Sequence, residues 1–198
     1  MLTEQIINGL LGITESYQAP QAMLDCMLNQ EKRGKLFCSF LEREQDMTYE
    51  WFSGYFESEH ADRKTKKQDF TPRSVSELLS EIVEGNTYFE CAAGTGSIMI
   101  QAWNRHRIKA GLAKYNPGAY WYQVEELSDR AIPFLVFNMA IRGINGIIIH
   151  GDSLSRETKD VYFVRNNTAD FLGFSDVIKM EHSEILEREL NIRFGREG

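Results

Sequence analysis

Phe89-Glu90-Cys91-Ala92-Ala93-Gly94-Thr95-Gly96-Ser97 follows a strand-like run and opens a helix-like one, and this stretch decides how the chain is read. Small residues and two glycines let a ligand approach the backbone closely. The helix start just beyond offers N–H groups that no intrahelical carbonyl satisfies. An α/β sheet binds nucleotide-like cofactors on such a turn, at the carboxyl ends of its strands. The turn alone does not say which cofactor.

Downstream, strand and helix patterns alternate. Ser97 to Lys109 reads as a helix, Ala119 to Val124 as an aromatic strand, and Ser128 to Ile141 as a second helix. Gly146 to His150 reads as a buried strand and Phe174 to Met180 as a fourth. This order predicts a parallel, doubly wound sheet. Upstream, Thr71-Pro72 starts a helix whose Val75, Leu78, Leu79, Ile82 and Val83 form one apolar stripe, with Gly85-Asn86 as its stop.

Residues 1–60 read as a helical N-terminal region and 61–198 as the cofactor-binding domain. Pro20 opens a helix through Gln30, and Gly34 is read as its break. Leu36, Phe37, Phe40 and Leu41 follow at helical spacing. Thr48 is read as the cap of a third helix carrying Trp51, Phe52, Tyr55 and Phe56, an aromatic stripe whose expected role is core packing. The basic run Ala61 to Gln68, with Lys64, Lys66 and Lys67, reads as a solvated connector ahead of a phosphate contact.

The 198 residues suffice for one good core. A formal net charge of −7 argues against a chain that grips DNA strongly alone. No apolar run has membrane-span length, and the N-terminus lacks the basic start of a signal peptide. Cys26, Cys38 and Cys91 have no paired metal-ligand spacing. Reduced thiols, a cytoplasmic location and no metal are therefore expected.

Three further features fall at expected strand or helix ends. An acid after the second strand, Glu125 or Glu126, can accept both hydroxyls of a ribose. Gly151-Asp152-Ser153-Leu154 follows the third strand, and its aspartate can either accept an adenine amine or cap its own turn. Asp69-Phe70-Thr71-Pro72 brings a hydroxyl to a helix start.

In this order the features resemble the N6-adenine DNA methyltransferases, in particular the modification (methylase) subunit of type I restriction systems. The resemblance rests on Phe70-Thr71-Pro72, Glu90 to Gly96, Glu126 with Asn138 and Gly143, and Gly151 to Leu154, over about residues 60 to 180. It implies a Rossmann-like S-adenosylmethionine-dependent methyltransferase fold, here with a truncated parallel sheet. It also implies an S-adenosylmethionine pocket. Thr71 would hold the methionine end, Gly94 and Gly96 the close backbone approach, Glu126 the ribose and Asp152 the adenine, with Phe70, Glu90, Ala92 and Ser153 beside them.

One departure bears on catalysis. The family ends its fourth strand in Asn-Pro-Pro-Phe, which accepts hydrogen bonds from the flipped adenine's amine and stacks on its ring. Here Glu181-His182-Ser183-Glu184 follows the strand, with Glu181 at the expected catalytic position. The expected function is therefore an S-adenosylmethionine-binding, restriction-modification methylase-related protein that is not an independent catalyst. The alternative is an inactive interaction or regulatory module on the same fold. The fourth strand is expected to form an exposed sheet edge, covered by a protein partner, a second copy or the N-terminal helices.

Overall fold

A computed structural model of the chain describes residues 2–59, 71, 73–80, 85–167, 170 and 172–195. Helix α1 (Glu4–Leu11) starts at the Thr3 cap and stops at Gly12, whose left-handed φ of 68° suits glycine. Helices α2 (Ala19–Leu28) and α3 (Gln30–Leu41) follow. The break between them is Asn29, not Gly34. Asn29 is extended, and its side chain accepts from Lys32 N at 3.0 Å to cap α3. Gly34 sits inside α3, where its cost of about 1 kcal/mol is offset by burial of Leu36, Phe37 and Phe40.

Helix α4 (Ser53–Glu59) is capped by Glu50 rather than Thr48. The Glu50 carboxylate accepts from Phe52 N at 2.8 Å and Ser53 N at 2.6 Å. The aromatic stripe is core, as expected, with Trp51, Phe52, Tyr55 and Phe56 all buried.

Helix α5 (Arg73–Ser80) departs from its sequence reading. Val75, Leu78 and Leu79 are 41%, 64% and 38% exposed, while Ser76 is fully buried, its hydroxyl 3.0 Å from that of Ser97. The expected Ile82 and Val83 lie outside the described residues. Packing against the next helix turned this helix by its small polar position, not by its apolar stripe.

The remaining elements are β1 (Thr87–Cys91), α6 (Ser97–Ala110), β2 (Trp121–Glu126), α7 (Ile132–Ile141), β3 (Gly146–Gly151), β4 (Glu157–Arg165), β5 (Asp176–Lys179), α8 (Glu184–Leu190) and β6 (Arg193–Phe194). Strand β2 starts later than its sequence pattern, because Asn116 caps a short 3-10 turn at Pro117–Ala119.

The fold is α/β. The sheet order is β1-β2-β3-β4-β5, with β6 beside β4. Strands β1, β2 and β3 are parallel, as the alternating pattern requires. Strand β4 was not expected, and it runs antiparallel to both β3 and β5. The link from Gly151 to Glu157 is too short for the crossover that a parallel neighbour needs, so it closes a hairpin.

Right-handed crossovers that step the same way along a sheet put their helices on one face. There Tyr88, Tyr122, Val124, Ile148, Tyr162, Val164 and Val177 share a single core with α6, α7 and the N-terminal helices. Helix α7 is buried on every side, between sheet and helices. Phe134 and Phe137 meet Phe37, Phe40 and Phe52 at ring centroid distances of 4.8–5.2 Å. Burying each such ring contributes about 1.5–3 kcal/mol. Arg33 of α3 joins Asp176 of β5 at 2.7 Å.

The opposite face carries Phe89, Gln123, Ile147, Phe163 and Ile178 in one register row across five strands. A small cluster of Ile147, Ile149, Val161 and Ile192 lies against Leu190 of α8. Phe89, at 59% exposure, and Trp121 remain open among the described residues. No described helix is long and apolar enough to cross a membrane.

Candidate cofactor site

Strand β1 leaves the sheet through three left-handed residues in close succession: Ala92 at φ 67°, Gly94 at φ 57° and Gly96 at φ 95°. Ala93 N donates to Glu125 O at 2.9 Å and Gly96 N to Ala93 O at 2.8 Å, which closes the turn. The two glycines differ in their surroundings. A Cβ on Gly96 would lie 2.9 Å from Leu135 and Met99, whereas one on Gly94 would meet nothing within 4 Å. Gly96 is held to glycine by its φ of 95°, with two flexible side-chain ends pressed close, and Gly94 fronts open space.

The adjacent glutamates of β2 part ways. Glu126 turns to the loop, where its carboxylate accepts from Gly94 N at 2.7 Å and from Ser128 N at 2.7 Å. Glu125 points to the other face, where its 1%-exposed side chain meets Arg156 at 2.8 Å. Arg156 also donates to the carbonyls of Asn191 and Leu190, fastening the β3–β4 turn to the end of α8.

Glu90 lies under the first turn of α6. It accepts from the Tyr88 hydroxyl at 2.8 Å. Burial pushes its carboxyl up to about 7; the Tyr88 hydroxyl and the Met99 backbone N–H oppose that rise, and the nearby Glu126 charge adds to it. One of the helix-start N–H groups thus meets the protein's own carboxylate.

Asp152 sits at the same sheet edge, one strand beyond Glu126. In this structure it acts as a turn cap. Its carboxylate accepts from Leu154 N at 2.9 Å, and that bond, with help from Ser155, holds its pKa below the ordinary carboxylate value. Ser153 lends its carbonyl to Arg156. Thr71 stands two residues ahead of α5, whose Ser76 docks on Ser97 at the start of α6. Phe70, Lys64, Lys66 and Lys67 lie outside the described residues.

Glu181 is not brought to this turn. It follows β5, whose Lys179 is level with Tyr162, Ile148, Val124 and Glu90. Four inter-strand spacings, about 19 Å, separate that row's ends. Beside Glu181, the His182 ring stacks on Phe194 at 3.9 Å. The antiparallel β4 stands between β3 and β5, so the strand that carries Glu181 is remote from β1.

Asn138, part of the motif order in the sequence, centres a buried polar network behind the turn that the sequence did not reveal. Asn138 Nδ2 donates to Thr95 O at 2.8 Å and to Glu50 Oε1 at 3.1 Å. Arg142 donates to Asn138 Oδ1 at 2.8 Å and to the carbonyls of Met47 and Tyr49. Burial pushes the Glu50 carboxyl up, and it pushes the Arg142 guanidinium down to about 9. The sequence signal was an asparagine inside an otherwise apolar helix, an arginine four residues on at its end, and one acid amid aromatics.

The family model for N-6 DNA methylase matches residues 45–173. The chain belongs to the N-6 DNA methylase family. The matched region takes in Glu50, the β1–α6 turn, Glu126, Asn138 and Asp152, and it stops short of β5 and Glu181. No curated protein matches the chain. Among solved structures it is similar to a protein described as a class I S-adenosylmethionine-dependent methyltransferase from Listeria monocytogenes. That match has 16% identity and a TM-score of 0.45, covering 77% of this chain and 50% of the other. The chain thus spans about half the length of that structure.

Proposed function

We propose that the protein binds S-adenosylmethionine on the β1–α6 turn, as an adenine-N6 DNA methyltransferase-like protein related to restriction-modification methylases, without being an independent catalyst. The observation that carries this reading is the Glu126 carboxylate on Gly94 N–H, beside a glycine whose Cβ position is open. A turn backed by a buried carboxylate, whose oxygens each keep a lone pair beyond the Gly94 and Ser128 N–H bonds, fits a ribose and a cationic methionine moiety. Glu126 would accept the ribose hydroxyls, and Gly94 would admit the ligand to the backbone. Thr71 would hold the methionine end, with Glu90 and Ala92 beneath it. Asp152 and Ser153 would meet the adenine. When bound, the cofactor supplies an electrophilic methyl group on its sulfonium.

Three features of the chain argue against independent transfer. The chain has no Asn-Pro-Pro-Phe sequence, and Glu181 stands far from the turn. A net charge of −7 makes any grip on DNA weak without a partner. Excess S-adenosylmethionine should raise the melting temperature, since a ligand selective for the folded state stabilises it. No labelled methyl should reach adenine in DNA with this chain alone. An unchanged melting temperature sinks the cofactor reading, and labelled adenine sinks the claim of lost catalysis.

A second reading, an interaction module, is favoured by exposed apolar surface near β1. Among the described residues β1 pairs only with β2, and Val75, Leu78 and Phe89 are exposed. A second copy adding its own strand would cover that edge. Sedimentation of the chain at rising concentration tests this, and a monomer throughout counts against self-association.

A further inference from the structure

The cofactor turn is tied to a segment distant in sequence. Thr95 O, inside the turn, accepts from Asn138 Nδ2 at 2.8 Å, and the same amide donates to Glu50, 88 residues away, at 3.1 Å. The other end of the amide is fixed as well, because Asn138 Oδ1 accepts from Arg142 at 2.8 Å. Arg142 in turn holds Met47 O at 2.9 Å and Tyr49 O at 2.8 Å. Gln101 of α6 adds a parallel tie, donating to Thr48 O at 2.7 Å. Asn138 is wholly buried, and Glu50 and Arg142 nearly so.

A planar trans peptide has one orientation once its carbonyl is fixed. Asn138 therefore sets the Thr95–Gly96 peptide, whose N–H closes the turn on Ala93 O. Glu50 is itself bound to Phe52 N and Ser53 N, so the loop ahead of α4 is part of the same construction.

We propose that Asn138, oriented by Glu50 and Arg142, is a positioning residue for the cofactor turn, and that residues 46–53 and the cofactor site stiffen together when ligand binds. This rests on the S-adenosylmethionine reading above. Two segments held by one buried hydrogen-bond network share its opening equilibrium, so a ligand that steadies one must steady the other.

Hydrogen exchange of the full chain, with and without S-adenosylmethionine, tests the coupling without any substitution. Slower exchange is expected at 90–97 and also at 46–53. Slowing at 90–97 alone overturns the coupling and leaves the cofactor reading standing. Slowing at neither overturns both. Asn138→Asp keeps the acceptor for Arg142 but sets a carboxylate oxygen against Thr95 O. It should weaken S-adenosylmethionine binding about tenfold and abolish the protection at 46–53. Unchanged affinity in that variant, with its circular dichroism intact, also overturns the proposal. If it fails to fold, the exchange pattern of the unaltered chain decides.

Discussion

Glu126 reaches from the end of β2 to the N–H of Gly94, Oε2 to N 2.7 Å, and so joins two strands' carboxyl ends across the mouth of the cofactor turn. The same carboxylate takes Ser128 N with its other oxygen. In Glu126→Gln one of these N–H groups would face an amide NH2. S-adenosylmethionine affinity should fall at least tenfold, about 1.4 kcal/mol. Calorimetric titration checks it, and equal affinity would remove Glu126 from the site.

Gly94→Leu tests the cradle by filling it. The substitution places a side chain in open space at a left-handed φ, costing about 1–2 kcal/mol. The chain should still fold, but excess S-adenosylmethionine should no longer raise its melting temperature. A surviving thermal shift would place the ligand elsewhere.

Arg156→Met should separate the two adjacent glutamates by function. It leaves Glu125, 1% exposed, as an unpaired buried carboxylate. Urea unfolding should show a loss of about 3 kcal/mol, largely recovered when Glu125→Gln is added. Cofactor affinity of the double variant should match that of the parent chain. A large loss of affinity would instead assign Glu125 to the ligand.

Glu90 predicts a pH dependence with two opposite signs. Its carboxyl sits at about 7 in the fold, above its ordinary 4.5. The folded state therefore holds this proton more tightly than the unfolded chain. The stabilisation is fully present below about 4.5 and is lost as pH rises through about 7. Binding of the cationic cofactor should move the other way, tightening as Glu90 ionises. Thermal melts and titrations across that range check both slopes. If Glu90→Gln leaves both slopes unaltered, another group is responsible.

Much of this was legible locally. The strand-like run before Glu90, the small turn and the helical pattern after Ser97 are properties of neighbouring residues, and β1, the turn and α6 formed where those properties pointed. The aromatic period through Trp51 and Phe56 likewise became core. Asn29 outranked Gly34 as a helix break because an extended residue with a capping side chain ends a helix, whereas glycine only weakens one.

By itself, then, the sequence determined the α/β class, the turn, and the order of acid, glycine and aspartate along the sheet edge. These follow from backbone and side-chain chemistry within a few residues. Only the tertiary structure decided that Glu126 faces the turn while Glu125 pairs with Arg156, since strand parity sets the face and a one-residue shift inverts it. It alone inserted the antiparallel β4, which carried Glu181 to the far side of the sheet. It alone joined Glu50 to Asn138 behind Thr95. Those relationships depend on which strands pair and which helices pack, and such long-range choices leave no period in the chain.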